Sequence, residues 1–182
     1  REVANSIKML GKSMRYVLEN TGTASITLRR ELDYIETYLT IQKIRFGDRV
    51  NYSLLVEDDI VPENYMILPL LLQPVIENAT VHGLEKRDTG GQIEVHISLV
   101  EEYLQILIKD NGCGMTEEEL EQLRKSIQEQ KVDTGGSIGL SNIQRRIRLC
   151  YGEAYGMMMY STPGEGTSVQ LNLPVKHSSE PV

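Results

Sequence analysis

Two stretches near the middle of the chain place an apolar side chain at every second position. These are Ile93, Val95, Ile97 and Leu99, then Leu104, Ile106 and Ile108, separated by Val100 and the polar turn Glu101-Glu102. A period of two over such lengths reads as half-buried strands, and the short gap reads as a hairpin. Further candidate strands are Val50 to Val56, Met157 to Ser161 and Thr167 to Leu173, the last two joined by the turn Pro163-Gly164-Glu165-Gly166. Helical stretches lie among them without strict alternation, so a doubly wound parallel sheet is disfavoured. The expected class is α+β: a two-layer α/β sandwich with a mixed, mostly antiparallel sheet, helices on one sheet face only, and further helices at the N-terminus. No internal repeat is evident.

Those N-terminal helices show in the apolar spacing. Val3, Ile7, Leu10, Met14 and Val17 form one stripe that ends at Asn20-Thr21-Gly22, opposite a face bearing Lys8, Lys12, Arg15 and Glu19. Thr27 is a suitable N-cap for a second helix carrying Leu28, Leu32, Ile35, Leu39 and Phe46, which Gly47 stops. Neither stripe is buried by its own helix. The second either packs on the domain beside it or is shared with a partner; the first is expected to self-associate in a bundle, making a homodimer through the N-terminal helices. The expected organisation is 1–22 as the end of a dimerisation region, 23–49 as a connecting helix, 50–175 as the globular domain, and 176–182 as a disordered tail.

In the globular part, Leu68, Leu71, Leu72, Val75, Ile76 and Ala79 repeat at helical spacing up to Gly83, with Pro69 suited to a first turn. Pro74 has no N–H to donate, so this helix either starts late or kinks there. Thr116-Glu117-Glu118-Glu119 is a capping box opening a short acidic helix, and Ile138 to Tyr151 reads as another helix.

Composition removes several classes of function. Nineteen basic and 26 acidic residues leave a net charge of −7, and the one dense basic cluster, Arg145, Arg146 and Arg148, fits a helix turn better than a nucleic-acid groove. Nucleic acid is not an expected partner. The two cysteines, Cys113 and Cys150, lack zinc-ligand spacing and are too few for a disulfide framework. Arg1-Glu2-Val3-Ala4-Asn5 is not a signal peptide, no run reaches membrane-span length, and a helical pattern starting at once suggests part of a longer chain.

The chemistry-bearing residues fall in separate clusters. Asp110 stands where an apolar strand stops, with Gly112 and Gly114 following at alternate positions. A carboxylate there can accept from an exocyclic amine, and the glycines leave room for a flat ring, although an ordinary Asn-Gly turn has the same look. Gly135-Gly136-Ser137-Ile138-Gly139-Leu140 opens directly into a helix, whose free N–H groups and dipole suit a polyphosphate. No Walker loop or dinucleotide fingerprint occurs. On the earlier helix Asn78 offers a neutral oxygen to Mg²⁺, Glu77 could orient a water or assist the metal, and His82 could reach a phosphate. Each of these also has a plain solvated or capping explanation.

Taken in order, Gln73-Pro74-Val75-Ile76-Glu77-Asn78-Ala79 with His82-Gly83, Asp110-Asn111-Gly112-Cys113-Gly114-Met115, Gly136-Ser137-Ile138-Gly139-Leu140-Ser141-Asn142 and Pro163-Gly164-Glu165-Gly166-Thr167 resemble the sensor histidine kinases of the LytS/YesM type. Glu31-Leu32, Tyr34-Ile35, Tyr38-Leu39 and the run Ile41 to Arg49 resemble the segment that precedes the ATPase domain in that family. The resemblance implies the GHKL (Bergerat) ATPase fold and the cofactors ATP and Mg²⁺. Catalytic roles fall to Asn78, Glu77 and His82, and Asn78 holds the metal. Nucleotide contacts fall to Asn78, His82, Asp110, Gly112, Gly114, Met115, Gly136, Ile138, Gly139, Leu140 and Thr167, with residues 111–137 as a mobile lid. A response regulator is the implied partner, and the chain is expected to be the cytoplasmic portion of a membrane-anchored sensor, with any membrane contact outside this sequence.

Two departures qualify the match. Val81 stands where the family often has Lys, so Lys86, Arg145 or Arg146 must supply that charge or phosphate affinity falls. The phosphoacceptor of the family lies in an Asn-Pro-His-Phe segment, which is missing here; His82, His96 and His177 are poor substitutes, so the chain is expected to bind ATP without phosphorylating itself. Two other functions remain open at this point. One is a clamp-type GHKL ATPase, disfavoured because Pro74 occupies the general-base position; the other is a binding-only signalling module, to which Val81 lends support.

Overall fold

The computed structural model describes residues 2–20, 22–84, 89–129 and 137–178. Two 19-residue helices lead, α1 (Glu2–Asn20) and α2 (Leu28–Phe46), followed by β2 (Val50–Val56) after the two-residue strand β1 (Ile26–Thr27) has passed directly into α2. Then come β3 (Met66–Ile67), α3 (Leu72–Asn78), β4 (Gly91–Val100), β5 (Tyr103–Asp110), α4 (Glu117–Glu129), α5 (Ser137–Tyr151), β6 (Gly156–Thr162) and β7 (Gly166–Pro174).

The five-stranded sheet has the order β2-β4-β5-β7-β6. Only the β2–β4 pair is parallel, and the other three are antiparallel, so the sheet is mixed and mostly antiparallel as the alternation implies. The β4–β5 hairpin pairs Val100 with Tyr103 across Glu101, which takes φ 55° to close the turn. Its alternate residues Ile93, Val95, Ile97, Leu104, Ile106 and Ile108 are all buried on one face. On the other face Gln92, Glu94 and Lys109 meet solvent. Helices therefore cover a single face, and α2, α3 and α5 contribute to one core cluster with the strands.

Local chemistry sets the helix ends. The Thr27 hydroxyl accepts the Arg30 N–H at 3.3 Å, and Gly47 at φ 60° ends α2 while its N–H donates to the Lys43 carbonyl. The capping box is reciprocal: the Thr116 N–H donates to the Glu119 carboxylate at 2.8 Å, and the Thr116 hydroxyl accepts the Glu119 N–H at 3.3 Å. Of the two possibilities at Pro74, the late start is the one adopted, since α3 begins at Leu72 and places the proline in its first turn, where no N–H is needed. After Asn78 the chain widens into a π-helical turn, Ala79–Leu84, which apolar spacing does not register.

Helix α1 shows two faces. Leu10 and Met14 are 55% and 60% exposed, as is Leu18 at 75%, whereas Tyr16 and Asn20 are buried against the rest of the chain. Helix α1 thus turns Tyr16, Asn20 and part of Val17 towards the rest of the chain and leaves Leu10 and Met14 of its apolar stripe outward. Val3 and Ile7 lie outside the described side chains. The tail departs from expectation at its start. Ser178 donates to the Asn64 carbonyl, the Lys176 carbonyl accepts the Met66 N–H, and His177 bridges Tyr65, so residues 176–178 are hydrogen-bonded to the β3 region; residues 179–182 lie outside the described set.

Burial raises several tyrosines above their ordinary value of 10: Tyr34 and Tyr151 to about 12, and Tyr16 and Tyr38 further. A raised folded-state value favours the protonated hydroxyl in the native state, so this stability is fully present below the unfolded value and is lost as pH rises through the folded one. The denaturation midpoint should be flat up to about pH 10 and fall steeply towards pH 12, with part of the tyrosinate absorbance appearing only as the chain unfolds. A single titration of all nine tyrosines near their ordinary value would contradict this burial.

Candidate functional site

Strand β5 delivers Asp110 to the edge of the helix-covered face, where it is 4% exposed. Its Oδ1 accepts the Gly112 N–H at 2.8 Å and the Thr167 N–H at 3.3 Å, so one carboxylate oxygen gathers the loop after β5 and the start of β7. Asn111 braces the same corner. Its side-chain oxygen accepts the Gln92 N–H at 2.8 Å and its amide donates to the Gly90 carbonyl at 2.9 Å, tying the corner to the beginning of β4.

Two glycines make this corner possible. Gly114 has φ 63°, and a Cβ there would lie 1.9 Å from the Thr162 carbonyl oxygen. Gly166 has φ 115°, and a Cβ would lie 2.0 Å from the Asp110 carbonyl oxygen. Backbone therefore passes backbone at distances no side chain allows. The Gly164 N–H donates to the Cys113 carbonyl at 2.7 Å, and the Ser161 hydroxyl joins the Met115 N–H, the Gly166 carbonyl and the Thr167 hydroxyl within 2.8 to 2.9 Å. Asp110, Gly112, Met115 and Thr167 thus belong to one hydrogen-bonded corner, in which Gly114 is closely packed.

Glu77 and Asn78 occupy the last turn of α3, both half-buried, and the π-helical turn that follows packs against β4, β5 and β7. Glu77 accepts from the Gln73 amide at 2.7 Å, and the Tyr34 hydroxyl donates to the Gln73 side-chain oxygen. Helix α5 approaches α3 where a Cβ on Gly139 would be 3.2 Å from the Pro74 Cβ, which brings the first turn of α5 against the start of the Asn78 helix. Ile138 is half exposed, but Leu140 is fully buried. His82 lies on the π-helical turn with its side chain outside the described set, and Gly136 lies outside the described residues altogether.

The region 111–137 contains α4, whose Leu120 and Ile127 are buried and whose Arg124 donates to the Met159 carbonyl at 2.6 Å. Residues 117–129 are therefore packed on β6 and α5 as a helix, and any lid built from this region includes that folded part. Val81 is exposed. Of the cations that could stand in for the missing lysine, Arg146 is committed to the Pro69 and Leu70 carbonyls at 2.6 and 3.4 Å, Arg145 is exposed, and Lys86 lies outside the described residues. Among the described residues, no three His, Cys, Asp or Glu side chains assemble a metal cage.

The sequence model of the family described as histidine kinase-, DNA gyrase B- and HSP90-like ATPase matches residues 67–177, which hold α3, the Asp110 corner and the Gly166 turn. The chain belongs to this ATPase family. A second model, described as histidine kinase, matches residues 1–50. The sensor protein kinase HptS of Staphylococcus aureus strain USA300 is 32% identical over 174 residues, covering 95% of this chain and 32% of HptS. The chain spans about a third of the length of the curated relatives it matches. In fold it is similar to the histidine kinase domain of the Erythrobacter litoralis EL346 blue-light activated histidine kinase, with a TM-score of 0.59 at 16% identity, over 93% of this chain and 75% of that one. A mycobacterial sensor histidine kinase, MprB, gives 0.58 at 14% identity over 84% and 97%. Membership makes the two-layer ATPase fold and an ATP-binding domain plain statements about this protein.

The motif reading did not include Asn111, Gln73, Ser161 or Tyr34 among the site residues. Asn111 carried a signal, being a side chain with both donor and acceptor between the strand end and Gly112. Ser161 did not, because its role depends on a turn brought from 46 residues along the chain.

The glycine corner yields a direct test. Gly166→Ala should cost about 3 kcal/mol of stability because carbonyl and Cβ cannot share the space. Gly164→Ala, at φ 81° with nothing within 4 Å, should cost about 1 kcal/mol. Equal denaturation midpoints for the two variants would contradict the packing at Asp110.

Proposed function

We propose that this chain is the nucleotide-binding catalytic portion of a two-component sensor histidine kinase, transferring the γ-phosphate of ATP to a histidine outside this sequence and thence to a response regulator. The observation that carries the reading is the Asp110 corner. A buried carboxylate is fixed by two backbone N–H groups in a corner that glycines allow to close tightly, an arrangement suited to presenting an oriented acceptor to the amine edge of adenine. The donor set also fits the metal: Asn78 supplies a neutral oxygen, and Mg²⁺, which takes few protein ligands, completes its shell from phosphates and water. When bound, the metal neutralises phosphate charge. The chain's own residues hold and orient: Asp110, Gly112, Gly114, Met115 and Thr167 at the base, Asn78 and Glu77 at the phosphates with His82, and Gly136, Ile138, Gly139 and the Leu140 backbone at the start of α5.

Phosphoryl transfer depends on positioning and charge neutralisation more than on an acid–base pair, so this set is chemically sufficient once an acceptor is presented. His96 lies 3.4 Å from the Glu57 carboxylate and His177 packs against the Tyr65 ring, both away from the Asn78 helix and the Asp110 corner in sequence. The outward Leu10, Met14 and Leu18 of α1 suit a homodimeric helical bundle, with residues 1–22 as its end and 23–49 linking it to the ATPase domain. Among the described residues no helix is long and apolar enough to cross a membrane.

Calorimetric titration with a non-hydrolysable Mg·ATP analogue tests the site. Asp110→Asn and Asn78→Ala should each weaken binding by about 10- to 100-fold, the value of a hydrogen bond to a charged group or of a lost metal ligand. Unchanged affinity in both variants would mean that the nucleotide lies elsewhere.

A further inference from the structure

Glu31 is a fully buried carboxylate for which nucleotide binding has no direct use. It projects from α2 to the turn before α3 and accepts three consecutive backbone N–H groups, from Leu70 at 2.9 Å, Leu71 at 2.9 Å and Leu72 at 3.1 Å. Leu71 contributes no side-chain cap to α3, so Glu31 caps this helix from outside it. Leu70 is held at φ 58°, an uncommon conformation for a leucine, with Arg146 gripping its carbonyl from the opposite side. Burial pushes the Glu31 carboxyl up while the hydroxyl and N–H donors oppose that shift. All four neighbours donate, so the carboxylate is the form they accommodate.

The fourth donor comes from α1. The Tyr16 hydroxyl donates to Glu31 Oε2 at 2.5 Å, and the Tyr16 ring stacks on Tyr34 with centroids 4.2 Å apart and planes 10° from parallel. Tyr34 in turn donates to Gln73, and Gln73 donates to Glu77. Two lines of contact therefore leave Tyr16. One runs through Glu31 to the first residue of α3, and the other runs through Tyr34 and Gln73 to Glu77, the neighbour of Asn78. Both ends of a seven-residue helix are tied to a single α1 side chain.

We infer that Tyr16 and Glu31 are positioning residues for the metal and phosphate half of the nucleotide site, so that the placement of α1 is read out as the placement of Asn78. This rests on the proposed nucleotide site. The physical basis is that a helix of two turns, begun from a left-handed leucine, moves as a unit when its external cap moves. The Asp110 corner is built from β5, β7 and the β6–β7 turn, none of which Glu31 or Tyr16 contacts through a hydrogen bond. The inference therefore divides the site: α1 governs the Asn78 half and leaves the adenine half alone.

The division is what the experiment reads. In the 182-residue chain, affinity for a Mg·ATP analogue is measured by calorimetry and affinity for adenosine by chemical-shift titration, for wild type, Tyr16→Phe, Glu31→Gln, the double variant, and Leu18→Ala on the outward face of α1. Tyr16→Phe removes one hydroxyl and keeps the stacked ring, so it serves even if Glu31→Gln does not fold. Tyr16→Phe and Glu31→Gln should each weaken Mg·ATP roughly 2- to 30-fold with adenosine affinity unchanged, and the double variant should be no weaker than Glu31→Gln alone. Leu18→Ala should match wild type. Wild-type Mg·ATP affinity in Tyr16→Phe, or a proportional loss of both ligands, would overturn the inference. Asp110→Asn separates the two levels of the account: if it leaves adenosine binding intact, the nucleotide-site assignment has failed rather than the link to α1.

Discussion

A carboxylate with no exposed surface, Glu31, holds the turn from which the site-bearing helix departs. Burying an ionised group is costly unless donors surround it, and here the peptide N–H groups of Leu70, Leu71 and Leu72 and the Tyr16 hydroxyl do so. The same turn is held by Arg146 at the Pro69 and Leu70 carbonyls and by the Tyr151 hydroxyl, which accepts the Leu68 N–H at 2.9 Å. Five consecutive residues, Leu68 to Leu72, are thus anchored by α2 on one side and α5 on the other. An unsatisfied buried N–H costs about 1 to 3 kcal/mol, so loss of this acceptor leaves a deficit comparable to a large part of a domain's net stability.

That anchored turn meets a second fixed frame, the antiparallel strands β5, β7 and β6. Their register sets Asp110 opposite Thr167, and the glycines at 114 and 166 let the two turns overlap closely enough for one carboxylate oxygen to bind both. The glycine at 139 performs a related task between α5 and Pro74. Close approach of backbone at Gly114 and Gly166 joins the Asp110 run to the Gly166 turn, and Gly139 lets the start of α5 pack on Pro74 in the helix that bears Asn78. Membership in the ATPase family follows from the match over residues 67–177, and the chain spans about a third of the length of its curated relatives.

Much of this was legible in the sequence, and for physical reasons. Period-two alternation in β4 and β5, the Thr27 cap, the Thr116–Glu119 box and the Gly164–Gly166 turn are local signals, each recorded in residues that touch one another. What local signals did not carry was orientation and long-range pairing. The inward turn of Tyr16 and Asn20 on α1 has no apolar spacing to announce it; two-residue strands such as β1 and β3 have no period to display; and the π-helical turn after Asn78 keeps ordinary helical spacing. Glu31 is intermediate. It sits between Leu28 and Ile35 on the buried stripe of α2, a position where an acidic residue signals a tertiary partner, but nothing local says that the partner is the turn before α3.

The most direct measurement is a crystal structure of this chain with a Mg·ATP analogue. The adenine amine should lie within about 3 Å of the Asp110 carboxylate and the Asn78 side-chain oxygen about 2.1 Å from Mg²⁺, with Glu31 still bonded to Leu70, Leu71 and Leu72. Adenine bound away from Asp110, or a metal shell without Asn78, would contradict this placement.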